Sequence, residues 1–296
     1  TLRDLGEHRL KDLARAERIH QVLALDLPTE FPPLLTPDRL RHNLPVQLDS
    51  FVGREDEIRL LRSLLTEPDG PRLVTLTGIG GTGKTRLALQ AAAELVEDYG
   101  DGVWFVDLAP VASGSDVAPA ALAALGLPED PSREPLDSLV GHIARRSMLL
   151  LMDNCEHLLE AAAKAASLLI RSCPGLRILA TSREVMGVTG ERRLPIEPLA
   201  LPAAGASSLA AVTEAEAVRL FLDRAVAQRP DFVIERDNAS AVVEICRRLD
   251  GIPLAIELAA ARVVAMAPAE IARRLDQRFK LLAVGERDRL PRQQHL

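Results

Sequence analysis

The residues with the clearest chemical pattern lie between Gly78 and Thr85, which read GIGGTGKT and match G-x-x-x-x-G-K-[ST]. Glycines allow backbone conformations closed to other residues, so that successive amides can point at one anion. We expect Lys84 to reach the β and γ phosphates of a nucleoside triphosphate and Thr85 to place its hydroxyl on Mg²⁺. The residues predicted to contact nucleotide here are Gly78, Gly80, Gly81, Thr82, Gly83, Lys84, Thr85 and Arg86.

A second candidate follows the apolar run SMLLLM at residues 147–152, which ends at Asp153. A run of this kind predicts a buried strand of a parallel sheet, and its last residue leaves the sheet at the carboxyl edge, where open α/β sheets bind ligands. We expect Asp153 to complete the magnesium shell with Thr85. The alternative is that Asp153 caps a helix beginning at Cys155.

A third candidate is Arg183, at the end of the apolar run LRILATSRE at residues 176–184. An arginine on the same sheet edge could bind the γ-phosphate through paired hydrogen bonds, each worth about 1.5–3 kcal/mol. The alternative is a surface arginine at a strand end.

Predicted strands and helices alternate from about residue 50 to residue 181, which is typical of an α/β fold with a parallel sheet covered by helices on both faces. Past Pro202 the apolar spacing is helical alone and predicts a small all-helical domain. Prolines crowd residues 28–49 and predict an extended linker, whereas residues 1–27 fit strand or short helix about equally. The predicted domains are thus a P-loop nucleotide-binding domain at 50–202 and a helical domain at 203–289.

Composition restricts the function further. No apolar run among the 296 residues reaches the roughly 18 that a membrane helix needs, and nothing suggests a signal peptide, so we expect a cytoplasmic protein without membrane contact. The net charge of −6 argues against direct nucleic-acid binding by this chain. Cys155, Cys173 and Cys246 lack metal-ligand spacing and are expected to be buried free thiols.

These motifs, with two further segments, resemble the STAND class of P-loop ATPases, which includes NB-ARC domains and bacterial regulators of the LuxR type. The segment FVGREDEIRLL at 51–61 resembles the hhGRE segment of that class, whose backbone and arginine lie over the base and phosphates. The resemblance implies that Val52, Gly53 and Arg54 contact the nucleotide.

The second segment is LDGIPLAIELAAAR at 249–262, which matches the GxP motif of the helical domain in that class. Its proline packs on the adenine in the family, which implies that role for Pro253. Taken alone, Gly-Ile-Pro is an ordinary helix-breaking turn.

Both ends of the chain carry weaker resemblances. Residues 5–23 resemble the last segment of class III nucleotidyl cyclase domains, and 290–296 resemble the start of a winged-helix domain. The resemblance implies a parent protein with a cyclase-like domain upstream and a winged-helix domain, often with a LuxR-type helix-turn-helix, downstream. These domains are the implied partners, together with self-association on activation.

Asn154 departs from the pattern of the class. Many relatives carry a second acid directly after the position of Asp153, and an amide cannot take a proton from the attacking water. Glu156 or His157 could substitute only if the chain bends toward the γ-phosphate. We therefore expect binding of ATP or ADP with Mg²⁺, and slow or absent hydrolysis.

The leading hypothesis is a nucleotide-dependent switch of a transcriptional regulator, in which ADP clamps the helical domain through Pro253 and ATP favours a rearranged state. The γ-phosphate would have to favour one state by about 5.5 kcal/mol. The alternative is a scaffold that holds ADP permanently, which Asn154 motivates. A P-loop small-molecule kinase is a weaker third hypothesis.

Overall fold

The computed structural model describes residues 2–9, 16–22, 42–203 and 208–275. They divide into two compact units, and the phosphate loop belongs to the unit that holds the helical region. The predicted winged-helix start at 290–296 and most of the predicted linker lie outside the described residues. The first unit comprises described residues of 1–46, 58–76 and 88–194, and the second those of 47–57, 77–87 and 195–275.

The N-terminal residues form a two-stranded antiparallel hairpin of β1 (Leu2–Arg9) and β2 (Ala16–Val22). Leu2 pairs with Val22, and the register shifts between Asp4 and Gly6. The sequence pattern left strand and helix open, and the structure has strands. The resemblance of this region to a cyclase segment stays a prediction.

A five-stranded parallel sheet forms the centre of the first unit, as predicted. Its strand order is β4-β5-β6-β3-β7, so that β6 lies between the strand preceding the phosphate loop and the strand ending in Asp153. Every residue of β3 and β5 is buried, which explains their continuous apolar sequences. The strands are β3 (Leu73–Thr77), β4 (Val103–Asp107), β5 (Met148–Asp153), β6 (Leu176–Ser182) and β7 (Glu191–Pro195).

Helices cover this sheet, and their small residues let them approach it closely. Ala162, Ala165 and Ala166 of the longest helix are buried in the same core as Leu150 and Ile178 of the sheet. The helices are α1 (Glu55–Thr66), α2 (Lys84–Glu94), α3 (Val117–Ala124), α4 (Pro135–Ile143) and α5 (Leu159–Ser172), with 3-10 turns at Val96–Asp98, Gly114–Asp116 and Cys155–Leu158.

The outer edge of the sheet is closed by residues just before the first helix. Asn43 pairs its side-chain amide with the main chain of β4, donating to Phe105 O at 2.8 Å and accepting from Phe105 N at 2.5 Å. The neighbouring His42 forms an isolated parallel bridge with Val103. Some backbone N–H and C=O groups of this edge strand, which could otherwise pair with a strand of another chain, are therefore already hydrogen-bonded.

The second unit has a helical core, as predicted past Pro202. Phe221 and Phe232 meet edge to face with ring centroids 6.1 Å apart, and Val242, Ile245 and Ile256 pack in the same cluster. None of the helices in the described part of the chain is long and apolar enough to cross a membrane. Its helices are α6 (Leu209–Thr213), α7 (Glu216–Gln228), α8 (Ala239–Arg248) and α9 (Pro253–Ala260), followed by a 3-10 turn at Ala261–Val264 and helical residues 268–275.

Candidate functional site

The glycine-rich loop connects the end of β3 to the start of α2, where the motif requires it. Gly78, Gly81 and Gly83 have φ of 153°, 81° and 88°, conformations that side-chain-bearing residues rarely adopt. Thr82 is buried and donates its hydroxyl to Ile79 O at 3.0 Å, which closes the turn from within. The loop has the form of a backbone cradle for an anion.

Lys84 lies against this cradle rather than pointing into solvent. Its ammonium donates to Gly78 O at 2.9 Å and Ile79 O at 3.0 Å, and the residue is only 9% exposed. A positive charge therefore lies at the mouth of the loop, where the sequence predicted a contact with the β and γ phosphates.

Two loop glycines also allow other segments to approach closely. A Cβ on Gly78 would lie 2.7 Å from Ile196 O, and one on Gly81 would lie 3.2 Å from the Cβ of Leu254. Leu254 N donates to Gly81 O at 3.2 Å, directly after Pro253 at the start of α9. The glycines thus serve packing against the helical region as well as loop shape.

The predicted hhGRE segment is held to the helical region by Glu216, at the start of α7. Gly53 and Arg54 both have left-handed backbone, with φ of 75° and 68°. Glu216 accepts the N–H of Arg54 at 2.7 Å and that of Ala200 at 3.1 Å. One carboxylate therefore satisfies two backbone donors from segments far apart in sequence.

The guanidinium of Arg54 is bound to the protein. It donates to Glu57 at 2.8 Å, to Thr82 O at 3.3 Å and to Glu197 O, and the residue is 5% exposed. Arg54 thus contacts the phosphate loop through a hydrogen bond to the Thr82 carbonyl.

The hhGRE segment, the loop and the helical region line a small, partly open cavity of about 40 Å³. Six of the residues predicted to contact nucleotide line it, and these are Val52, Arg54, Thr82, Gly83, Arg86 and Pro253. The sequence analysis did not identify the other five, which are Phe51, Leu199, Leu220, Arg224 and Glu257.

An ion-pair network borders this cavity. Glu257 Oε1 lies 3.3 Å from Arg86 Nη1 and accepts from Arg224 Nε at 3.0 Å. Arg224 also donates to Ser50 O at 2.9 Å and pairs with Asp223. Charged side chains of α2, α7 and α9 thereby contact one another, and Arg224 connects them to Ser50, just before the hhGRE motif. No sequence pattern marked these pairs, because their partners are far apart in the chain.

In the first unit, Asp153 ends β5. The residue is 2% exposed, and its carboxylate accepts hydrogen bonds on both oxygens. Oδ1 accepts from the Thr181 hydroxyl at 2.5 Å, and Oδ2 accepts from the Asn154 side-chain amide at 2.9 Å. Thr181 in turn accepts the N–H of Asn154 at 3.0 Å. We missed Thr181 as a functional candidate, although it stands in the quoted run just before Arg183.

Glu156 and Arg183, two predicted site residues, form an ion pair with each other at 3.3 Å. Arg183 is largely exposed, whereas Glu156 Oε2 is buried and has no hydrogen-bond partner among the described residues. His157 is exposed, and its Nε2 lies 3.0 Å from Val111 O. The structure therefore brings the candidate base next to the candidate phosphate-binding arginine.

The cysteines are buried free thiols, as predicted. Burial raises the pKa of Cys155 and of Cys246 to about 12, and the charges of Asp153 and Glu156 add to the rise at Cys155. These thiols stay protonated at neutral pH, which disfavours nucleophilic or metal-binding roles. Within the described residues, no group of three or more His, Cys, Asp or Glu side chains could hold a metal ion.

Comparison with known proteins gives the following matches. The family model described as AAA ATPase domain matches residues 50–290. The "Putative HTH-type transcriptional regulator Rv0890c" of Mycobacterium tuberculosis is 50% identical over 236 residues, 80% of this chain and 25% of that protein. The "Regulatory protein AfsR" of Streptomyces griseus is 31% identical over 232 residues, 75% of this chain and 22% of that protein. The chain thus spans about a quarter of the length of these relatives.

Among solved structures, the ORC2 protein of Aeropyrum pernix, in its ADPNP and ADP complexes, superposes with a TM-score of 0.51. It is 15% identical, and the match covers 79% of this chain and 69% of that one. At this identity the likeness concerns the fold alone. It confirms the predicted α/β fold with a parallel sheet.

Proposed function

Because this chain belongs to the AAA ATPase domain family, we propose that it binds ATP and ADP with Mg²⁺ and acts as the nucleotide-dependent switch of a larger transcriptional regulator. Within the family we assign it to the STAND class, on the hhGRE and GxP motifs at residues 51–55 and 251–253. The printed names of the mycobacterial and Streptomyces relatives support the regulatory part of the proposal.

The observation that carries the proposal is the convergence of three separate segments on one cavity. Val52, Thr82 and Pro253 belong to segments that are far apart in sequence, yet they line the same small space. The cavity of about 40 Å³ is small, and we propose that a base enters it when its walls separate. Entry of nucleotide is thereby coupled to movement of the helical region, which a switch requires.

The residues present fit a phosphate chain with its magnesium ion. The left-handed glycines form the cradle, the ammonium of Lys84 supplies positive charge, and the hydroxyl of Thr85 and the carboxylate of Asp153 are the hard oxygen donors that Mg²⁺ prefers. When bound, the ion would neutralise charge on the phosphates. We propose Thr85 and Asp153 as its protein ligands, with the remaining positions taken by phosphate and water.

Hydrolysis is proposed to be slow. Glu156 is the carboxylate that would take a proton from the water attacking the γ-phosphorus, while the bond to the ADP oxygen breaks and phosphate leaves. Its pairing with Arg183 holds one of its oxygens on a cation instead. Asn154, at the position where relatives carry an acid, has no proton-accepting group to offer.

In the switch itself, ADP would hold α9 to the phosphate loop through Pro253, and the γ-phosphate of ATP would favour a rearranged state that other domains of the parent protein recognise. The partners that we propose are those upstream and downstream domains and other copies of the parent. Because this chain is acidic, DNA contact is assigned to the rest of the parent rather than to residues 50–290.

The test is to purify the protein, denature it and identify the nucleotide released, then measure affinity for ATP and ADP with Mg²⁺. Lys84→Ala should lose most of the binding, and Lys164→Ala, an exposed lysine on α5, should retain it. Equal loss in both variants, or no binding by the unaltered protein, would exclude the proposal.

The second candidate, a scaffold with permanently bound ADP, is favoured by the neutral Asn154 in the turn after β5. It predicts ADP in the denatured sample, no exchange over hours and no phosphate release above the Lys84→Ala background. Release that exceeds the background and disappears in Glu156→Gln would instead support the switch with Glu156 as base.

A further inference from the structure

We infer that Asn154 is a positioning residue for Asp153, and that its amide, together with the Thr181 hydroxyl, prepares the carboxylate to receive the magnesium ion. The inference rests on the proposed function, because it concerns how the chain holds a magnesium nucleotide. It assigns Asn154 a role of its own, beyond the lack of a second acid at that position.

The backbone of Asn154 gives the first reason. Its φ and ψ of 60° and 46° are left-handed, and asparagine tolerates this region far better than β-branched or bulky residues do. The tight turn places its side chain back toward the preceding residue. The conformation alone would also suit glycine, which distinguishes the contribution of the backbone from that of the amide.

The side-chain contacts give the second reason. Asp153, Asn154 and Thr181 form a closed set of three hydrogen bonds that spans the ends of β5 and β6. Each oxygen of Asp153 accepts from a neutral donor of this set, which helps to fix the plane of the carboxylate. The amide of Asn154 is neutral, so this donor brings no positive charge that would compete with Mg²⁺.

An aspartate at position 154 could not do the same. In the observed geometry its carboxylate would face that of Asp153 where the amide now donates at 2.9 Å, acceptor against acceptor. The buried surroundings, with Asp153 2% and Thr181 1% exposed, give little water to screen the two charges. The local structure thus favours a donor over a second acid.

The test measures how strongly Mg²⁺ enhances binding of a fluorescent ADP analogue, as the ratio of dissociation constants in EDTA and in Mg²⁺. Asn154→Gly keeps the backbone conformation and removes the amide, and we expect the ratio to fall about tenfold. Affinity in EDTA should stay within about twofold, because the loop cradle is unchanged. Asn154→Asp should lower the ratio at least as much, without a gain in phosphate release.

Thr181 provides the conservative rescue. Thr181→Ser keeps the hydroxyl and should keep the ratio, whereas Thr181→Val keeps the shape and should lower it; thermal unfolding in EDTA checks that each variant folds. An unchanged ratio in folded Asn154→Gly would overturn the inference, as would faster hydrolysis by Asn154→Asp at an unchanged ratio. If the unaltered protein bound no analogue, the proposed function itself would fail, which is a separate outcome.

Discussion

Glu257 accepts a hydrogen bond from Arg224 Nε at 3.0 Å, which joins α9 to α7 at the border of the small cavity. The same oxygen lies 3.3 Å from Arg86 Nη1, so one carboxylate faces two guanidinium groups. Arg224 is 9% exposed and also pairs with Asp223, so loss of the Glu257 charge would remove one of two counter-charges from a buried cation, which is costly.

The first prediction is therefore that Glu257→Gln destabilises the protein. Because Glu257 is about a quarter exposed, we expect the lower range for a partly buried pair, about 1–2 kcal/mol. Urea unfolding measures the loss. Glu244→Gln, which breaks an i, i+4 pair with Arg248 on α8 in which the glutamate side chain is 45% exposed, should cost less than about 0.5 kcal/mol. Equal losses in the two variants would show that the Glu257–Arg224 pair stabilises the protein no more than the Glu244–Arg248 pair does.

The second prediction concerns Gly251, whose left-handed backbone allows close approach to the segment before α6. A Cβ there would lie 2.4 Å from Leu199 O, so Gly251→Ala should cost about 2–4 kcal/mol, from backbone strain plus overlap. Gly187 has a similar φ of 72° and nothing within 4 Å of such a Cβ. Gly187→Ala should therefore cost only about 1 kcal/mol. Thermal unfolding of both variants separates strain from overlap, and similar midpoints would contradict the close contact.

The third prediction tests Glu216 as the clamp of the hhGRE segment. Glu216→Ala leaves the N–H groups of Arg54 and Ala200 without their acceptor, which should cost about 2–3 kcal/mol. Hydrogen exchange at these two amides should accelerate before global unfolding. Glu214→Ala, two residues earlier at an exposed position, is the matched control and should leave both amides protected. Unchanged exchange in Glu216→Ala would show that other contacts hold the segment.

The fourth prediction is a loss of stability in alkali. The pKa of Cys155 and Cys246 is about 12 in the folded protein, against 9.0 for an ordinary thiol. The thiols of the unfolded chain lose their protons at lower pH than those of the folded protein. The free energy of unfolding is therefore unaffected below pH 9 and falls as the pH rises from 9 toward 12. At pH 10 each thiol should have lost about 1 kcal/mol relative to pH 8.

Urea midpoints at pH 8 and pH 10, in the presence of a reductant, check this loss. Cys246→Ser removes one titrating group and should shrink the difference between the two pH values, whatever its effect on absolute stability. If the variant kept the full pH difference, Cys246 would not contribute to it.

Features that depend on the spacing of residues within one short segment could be predicted from the sequence. The phosphate loop, the buried strands β3 and β5 and the helices past Pro202 all follow from spacing of glycine and apolar residues over a few turns of chain. The strand β7 is harder to place from sequence, since ERRLP at residues 191–195 is only partly buried and gives no continuous apolar run.

Contacts between distant segments could not be predicted in the same way. Glu216 has only the signal of an acid in the first turn of a helix, and its two N–H donors lie on segments that no pattern pairs with it. Arg54 was expected to contact phosphate on family resemblance, whereas its guanidinium is bound to Glu57 and two backbone carbonyls. Which partner a long cationic side chain takes depends on the folded surroundings rather than on the motif.

The amide of Asn43 acts on β4 as a strand would, with one donor and one acceptor matched to Phe105. The segment that contains His42 and Asn43 is consequently held against the edge of the sheet. A pulling force on the preceding chain would be borne first by β4, the edge strand at one end of the order β4-β5-β6-β3-β7. β5 and β6 separate β4 from β3, the strand that leads into the phosphate loop.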